Sequence, residues 1–292
     1  MQGYTIRGGH LPRSSIGELG IFEDTDGVKI SYEIYGKGRR TLLFMHGLLM
    51  DSNLNRRLAE NLAAEGNRVI LVDLPGHGRS DKPLRASDHR MDAYARRILH
   101  LMDALRLRSV VIGGMSLGAG VALQVCLLAP KRVKAMIIEM PVLERATPVA
   151  ALLFTPWLVS THYARPAISA LRQVVRRIPM ERLGLFDQLT GPLMLEPEET
   201  VAVLHGVLVG PVAPTAEERK AMTQPTLVIG HRSGRLHPFG DANRLAQQMP
   251  NARLLEANSM LELRVRPARL TAEIAGFLDE VFTPAVPVAT TA

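Results

Sequence analysis

A run of β-branched and apolar residues from Ser109 to Gly113 passes directly into Gly114-Met115-Ser116-Leu117-Gly118, and an apolar segment with helical character follows it. Small residues on both sides of a serine at a strand-to-helix junction mark a sharp, crowded turn. Such a turn presents the hydroxyl at the end of a sheet, beside the amide of Leu117 and the positive end of a helix. This is the pattern of a nucleophile elbow, and the strand before it and the helix after it carry most of its specificity. The alternative reading of the same residues is a small-residue turn between two buried elements.

The rest of the chain repeats that alternation. Gly27 to Gly38 holds Val28, Ile30, Tyr32 and Ile34 at every second position, which predicts a strand at an antiparallel edge. Thr41 to Met45, Arg68 to Leu74, Ser109 to Gly113, Val133 to Met140, Thr226 to Gly230 and Ala252 to Ala257 are short, apolar and not strictly alternating. Runs of that kind are buried on both faces, as in a parallel sheet. Between them, Ala95, Ile98, Leu99, Met102 and Leu105 recur at helical spacing, and Leu58 and Leu62 do so after Asp51 and Ser52. Strands alternating with helices predict a doubly wound, mostly parallel α/β sheet.

The alternation stops between Pro141 and Thr223, where three proline-punctuated helical stretches (147–159, 166–177 and 198–210) contain no strand pattern. The chain is therefore expected to divide into a sheet core at 20–140 and 224–282, an inserted helical cap at 141–223, and a flexible tail at 283–292. Leu152, Leu153, Phe154, Trp157 and Leu158 are apolar enough to line a pocket or to pack the cap's own core. Asp241 is expected to cap the helix over Ala242 to Met249.

Composition narrows the function classes. With 292 residues and 47% hydrophobic content the chain can bury one large core. The segment from Met1 to Ser15 lacks the apolar stretch of a signal peptide, and no run approaches the roughly 20 apolar residues of a membrane span. A cytoplasmic protein with no integral membrane segment is the expectation. Cys126 is the single cysteine, so no internal disulfide forms. The net charge of +7 comes from scattered arginines with few aromatics to stack bases, which argues against nucleic acid as a partner. No His, Cys, Asp or Glu cluster has metal-ligand spacing, and Gly113-Gly114-x-x-x-Gly118 is not a dinucleotide fingerprint, so no metal or organic cofactor is expected. Nothing in the sequence decides the oligomeric state.

Phe44-Met45-His46-Gly47-Leu48 after one strand, Asp73-Leu74-Pro75-Gly76-His77-Gly78-Arg79-Ser80 after the next, and then the serine turn fall in the order seen in the α/β-hydrolase superfamily. The chain resembles its lipase-, esterase- and haloalkane-dehalogenase-like branch, with an inserted cap, from Asp26 to Val281. The resemblance implies that Ser116 is a nucleophile and that the amides of Leu48 and Leu117 form an oxyanion hole. One such donor is typically worth about 2.7–4 kcal/mol of transition-state stabilisation. It also implies a pocket bordered by His46, Met115 and the cap's Trp157. His46 is expected to buttress the loop, and His77 to be structural.

Two positions depart from the family. An aspartate should follow the strand at Thr226 to Gly230, and Gly234 stands in its place. A histidine should follow the strand at Ala252 to Ala257, yet Asn258-Ser259-Met260-Leu261-Glu262 leads to Pro267 without one, and no histidine follows His237. Serine hydrolases stripped of triad members retain only about 10³–10⁴-fold acceleration over water. The substitute candidates are Glu139, at the end of the strand after the elbow helix, for the acid, and His237 for the base, with His231 and His205 behind it.

The leading expectation is a hydrolase-fold enzyme that cleaves an ester, thioester or lactone of a small apolar substrate through Ser116, Glu139 and His237. The alternative is a non-catalytic binding protein that keeps the pocket and has lost the proton-transfer groups.

Overall fold

The computed structural model describes residues 17–175, 195–232 and 236–283. Eight strands form one sheet: β1 (Glu18–Glu23), β2 (Lys29–Tyr35), β3 (Thr41–Met45), β4 (Arg68–Val72), β5 (Val110–Met115), β6 (Val133–Glu139), β7 (Thr226–His231) and β8 (Ala252–Ala257). Their order is β1-β2-β4-β3-β5-β6-β7-β8. β2 pairs antiparallel with both β1 and β4, and every other pairing is parallel. The predicted antiparallel strand is thus not the edge. β1 lies outside it, with Leu19 and Ile21 exposed, and its weak alternation hid it from a sequence reading.

Each parallel strand needs a crossover, and helices supply it on both faces. α1 (Arg56–Ala64) and α10 (Ala268–Phe282) cover one face, while α2 (Met91–Ala104), α3 (Leu117–Leu128) and α8 (Phe239–Gln248) cover the other. β3 shows why its sequence does not alternate. Leu43 and Met45 pack under α2 and α3, Leu42 and Phe44 pack under α1 and α10, and all four are almost completely buried. Strand order reverses between β3 and β5, so their carboxyl ends flank the crevice where open α/β sheets place ligands. β5 also runs two residues past the predicted end, directly into the serine turn.

Between β6 and β7 the described residues hold α4 (Thr147–Tyr163), α5 (Arg165–Val175), α6 (Pro197–Val209) and α7 (Ala216–Ala221) and no strand. Asp241 is fully buried within the first turn of α8, and its carboxylate accepts from the amides of Leu143 and Ala146 at 2.9 Å and of Arg145 at 3.2 Å. It therefore secures the entry into the cap and does not cap its own helix. α6 seats the cap on the core, because Gly206 lies against the 86–89 turn, where a Cβ would meet the Ala86 carbonyl oxygen at 2.2 Å. Apart from Thr283, the expected tail and the segment from Met1 to Ser15 lie outside the described residues. No described helix is long and apolar enough to cross a membrane.

Replacing a mid-helix glycine with alanine ordinarily stabilises a helix by up to about 1 kcal/mol. At Gly206 the added methyl forces the cap off the Ala86 carbonyl, so Gly206→Ala is expected to lose about 1–3 kcal/mol, read as a lower urea midpoint. A gain in stability would show that α6 is not packed this closely.

Candidate active site

Ser116 has φ 53° and ψ −106°, a left-handed backbone that few non-glycine residues adopt and that typically costs about 1–3 kcal/mol. The surroundings hold it there. Its amide donates to the Glu139 carbonyl at 2.9 Å, Gly118 N–H donates to the His46 carbonyl at 3.1 Å, and Gly120 N–H donates to the Ser116 carbonyl at 3.1 Å. The flanking glycines follow from crowding. A Cβ on Gly118 would sit 2.5 Å from the Met45 carbonyl oxygen, and one on Gly114 would sit 2.5 Å from the Gly118 carbonyl carbon.

The amides of Leu48 and Leu117 donate to no protein acceptor among the described residues. Leu117 opens α3, so its N–H is one of the four that a helix leaves unsatisfied. Both leucines border a cavity of about 120 Å³ that also reaches Ser116. Thr147, Ala150, Ala151 and Phe154 face it from α4, at i, i+3, i+4 and i+7, and Leu204, Val207 and Leu208 face it from α6.

The expected pocket residues His46, Met115 and Trp157 do not line this cavity. His46 is fully buried, its Nε2 accepts from the Leu74 amide at 3.0 Å, and Nδ1–H therefore donates to the Gly47 carbonyl at 2.8 Å. It fixes the loop between β3 and α1 to the loop after β4. Met115 is buried beneath that loop, with its Cε against Gly47. Trp157 stacks on Phe154 with ring centroids 6.3 Å apart and packs against the cluster of Leu49, Val203 and Leu204, leaving Phe154 to face the cavity. His77 is buried, and desolvation holds it far below the ordinary histidine range, so it is neutral.

Nε2 of His237 lies 2.8 Å from Oγ of Ser116. The histidine comes from the loop between β7 and α8, immediately before Pro238, whose ring biases the preceding backbone to extended conformations. Burial lowers its pKa from 6.5 to about 4, and the nearby His231, with ring centroids 6.5 Å apart, adds to the shift. Among the described residues no carboxylate lies within hydrogen-bonding or ion-pair distance of His237. Gly234 lies outside the described residues. His205 is exposed on α6, between cavity-lining residues that face the other way.

The structure joins Glu139 to Arg264, and not to His237. Both side chains are at least 96% buried, Glu139 Oε1 accepts from Arg264 Nη1, and Arg264 Nη2 donates to Asn55 Oδ1 at 2.8 Å. Arg264 lies on α9 (Glu262–Val265), in the segment after β8 from which the resemblance would bring a histidine. Sequence reasoning missed Arg264, because one arginine among many gives no sign that it turns inward. Its flank by Leu263, in a segment lacking the expected histidine, is the only local signal. No described group of three His, Cys, Asp or Glu side chains is arranged to hold a metal ion.

A strained serine, two amides without a protein acceptor on residues that border a cavity, and a histidine on the serine hydroxyl, at the carboxyl ends of a mostly parallel sheet, define a hydrolase-type architecture. The chain belongs to the alpha/beta hydrolase fold family, which matches residues 40–258. It is 28% identical over 243 residues to 2-hydroxy-6-oxononadienedioate/2-hydroxy-6-oxononatrienedioate hydrolase 2 of Pseudomonas putida, covering 78% of this chain and 82% of that protein. A haloalkane dehalogenase of Mycolicibacterium paratuberculosis is 31% identical over 153 residues, 50% of each chain. The crystal structure of the enol-lactonase from Burkholderia xenovorans LB400 superposes with a TM-score of 0.72 at 18% identity, covering 89% of this chain and 99% of that one.

Removing one partner of a buried ion pair strands the other charge, typically at a cost of about 3–5 kcal/mol. Arg264→Met is expected to destabilise by that order, and Arg264→Met combined with Glu139→Gln to recover most of it. Denaturant unfolding of Arg264→Met, Glu139→Gln and the double variant checks this, and an additive double mutant would show that the two side chains are not coupled.

Proposed function

We propose that this protein hydrolyses an ester, thioester or lactone of a small apolar substrate, with Ser116 as nucleophile, His237 as general base and the amides of Leu48 and Leu117 as the oxyanion hole. The observation that carries this reading is the 2.8 Å contact between His237 Nε2 and Ser116 Oγ. A serine hydroxyl needs a base at this distance to act as a nucleophile near neutral pH.

Neutral His237, with its proton on Nδ1, accepts the hydroxyl proton at Nε2 as Oγ adds to the substrate carbonyl. Charge then develops on the carbonyl oxygen, where the two amides and the N-terminus of α3 favour it. The imidazolium returns the proton to the leaving group, and water repeats the sequence on the acyl-enzyme. With no described carboxylate on its ring, the imidazolium lacks the partner that stabilises it in a full triad, and the lowered pKa makes His237 a weak base. Turnover slower than that of a Ser-His-Asp enzyme follows. Glu139 contributes its backbone carbonyl, which anchors Ser116, while its carboxylate answers Arg264. The hydrolase named in Pseudomonas putida and the enol-lactonase support hydrolysis as the reaction type.

A fluorophosphonate probe, with the modified residue mapped by mass spectrometry, is expected to label Ser116. Ser116→Ala abolishes the labelling and His237→Gln slows it by about 10²–10⁴-fold, the usual worth of a positioned base. Undiminished labelling of His237→Gln would remove His237 from the mechanism. No labelling of well-folded protein would leave the chain as a binding protein on this fold.

The base works only when neutral, and its folded-state pKa is lowered, so the rate is flat through neutral pH and falls below about pH 4. Initial rates of labelling across pH 3.5–8 (about that span brackets both values) check this. An inflection near the ordinary histidine value would mean that an acid group reaches the ring.

A further inference from the structure

The cavity wall determines which substrates the proposed site accepts. Ser116 and Thr147 are its only polar side chains among the described residues, and the others are Leu48, Met91, Leu117, Val142, Phe154 and further aliphatic groups from both cap helices and from the loops at Val212 and Leu236. Thr147 Oγ1 already donates to the Leu143 carbonyl at 2.7 Å. No described lysine, arginine or histidine side chain lines the wall.

From this we infer that the site takes neutral esters with a short hydrocarbon acyl group and rejects substrates that carry a carboxylate on that group. The inference rests on the reading of Ser116 as the reacting end of the cavity. Among the described residues, a carboxylate moved from water into such a wall meets no cation and no free donor beyond the oxyanion amides, which the reacting carbonyl occupies. An uncompensated buried charge of this kind lowers affinity by at least about a hundredfold. Size sets a second limit. An apolar cavity of about 150 Å³ is known to hold benzene, with its six carbons, and a cavity of about 120 Å³ is slightly smaller. The part of the acyl group inside this partly open cavity therefore holds roughly five non-hydrogen atoms.

The spacing of the cap residues locates the discrimination. Ala150 and Ala151 leave the space on α4, and Phe154, one turn further along, fills the next position on the same face. Phe154 is half-buried and belongs to the cap, so shortening it enlarges the cavity and leaves the sheet core untouched.

The test measures binding, so it holds whether or not the protein turns substrate over. Ser116→Ala protein is titrated, by saturation-transfer NMR, with methyl pentanoate and with monomethyl succinate, a neutral ester and a similar ester ending in a carboxylate. The expected result is at least about a hundredfold weaker binding of the succinate ester. In the same background, Phe154→Ala is expected to raise the affinity for methyl octanoate relative to methyl pentanoate. Equal binding of the pentanoate and succinate esters overturns the inference, as does a chain-length preference unmoved by Phe154→Ala. Selective binding by Ser116→Ala, together with wild-type protein that neither labels nor hydrolyses methyl pentanoate, leaves this inference standing and removes the catalytic reading.

Discussion

The close approach of the Gly118 backbone to the carbonyls of Met45 and His46 is the contact on which the site depends. It presses the start of α3 against the end of β3, and no side chain fits between them. Because β3 and β5 are parallel neighbours, the same contact brings the loop after β3 beside the serine turn, so two amides from distant parts of the chain border one cavity. The strain at Ser116 is sustained by this packing and by the hydrogen bond to the Glu139 carbonyl on the other side of β5. The Ser116 hydroxyl lies where the sheet ends and the cap begins.

Charge around this turn is arranged differently from what the family resemblance implies. The segment after β8 contributes Arg264, which enters the core, neutralises Glu139 and reaches Asn55 at the start of α1. One buried cation thus ties the strand that anchors Ser116 to the helix that follows the loop after β3. The histidine comes instead from the loop after β7, just ahead of a proline. Burial beside His231 keeps its ring neutral, which suits a proton acceptor but gives the protonated ring little support. A neutral ring on the serine hydroxyl follows from one desolvated environment.

The described cap residues that line the cavity bring no charge to its wall. α4 is apolar nearly all round, with Leu152, Leu153 and Tyr163 outside and Ala150, Ala151 and Phe154 inside. It forms a hydrocarbon wall because α6 beneath it is seated on the core through Gly206, where backbone meets backbone. Asp241, at the other end of the insertion, satisfies three amides at the cap's entry and fixes the direction in which α4 leaves the sheet.

Much of this was legible along the chain. Strands buried on both faces read as unbroken apolar runs, helices as 3.6-residue periods, and a serine turn as glycines at fixed spacing, because each pattern reflects local backbone geometry and burial. The sequence by itself determined the α/β alternation, the helical stretches without a strand between β6 and β7, the position of Ser116 and the absence of a histidine beyond His237. It could not determine which polar side chains meet. Asp241 reads as a helix cap and instead serves another segment, Trp157 reads as a pocket wall and instead backs Phe154, and Arg264 is indistinguishable from the surface arginines around it. Those outcomes depend on strand order, which places the ends of β3, β5, β6 and β7 side by side across more than a hundred residues of chain. Partners as far apart as Glu139 and Arg264, or Ser116 and His237, are selected by that adjacency, and only the tertiary structure supplies it.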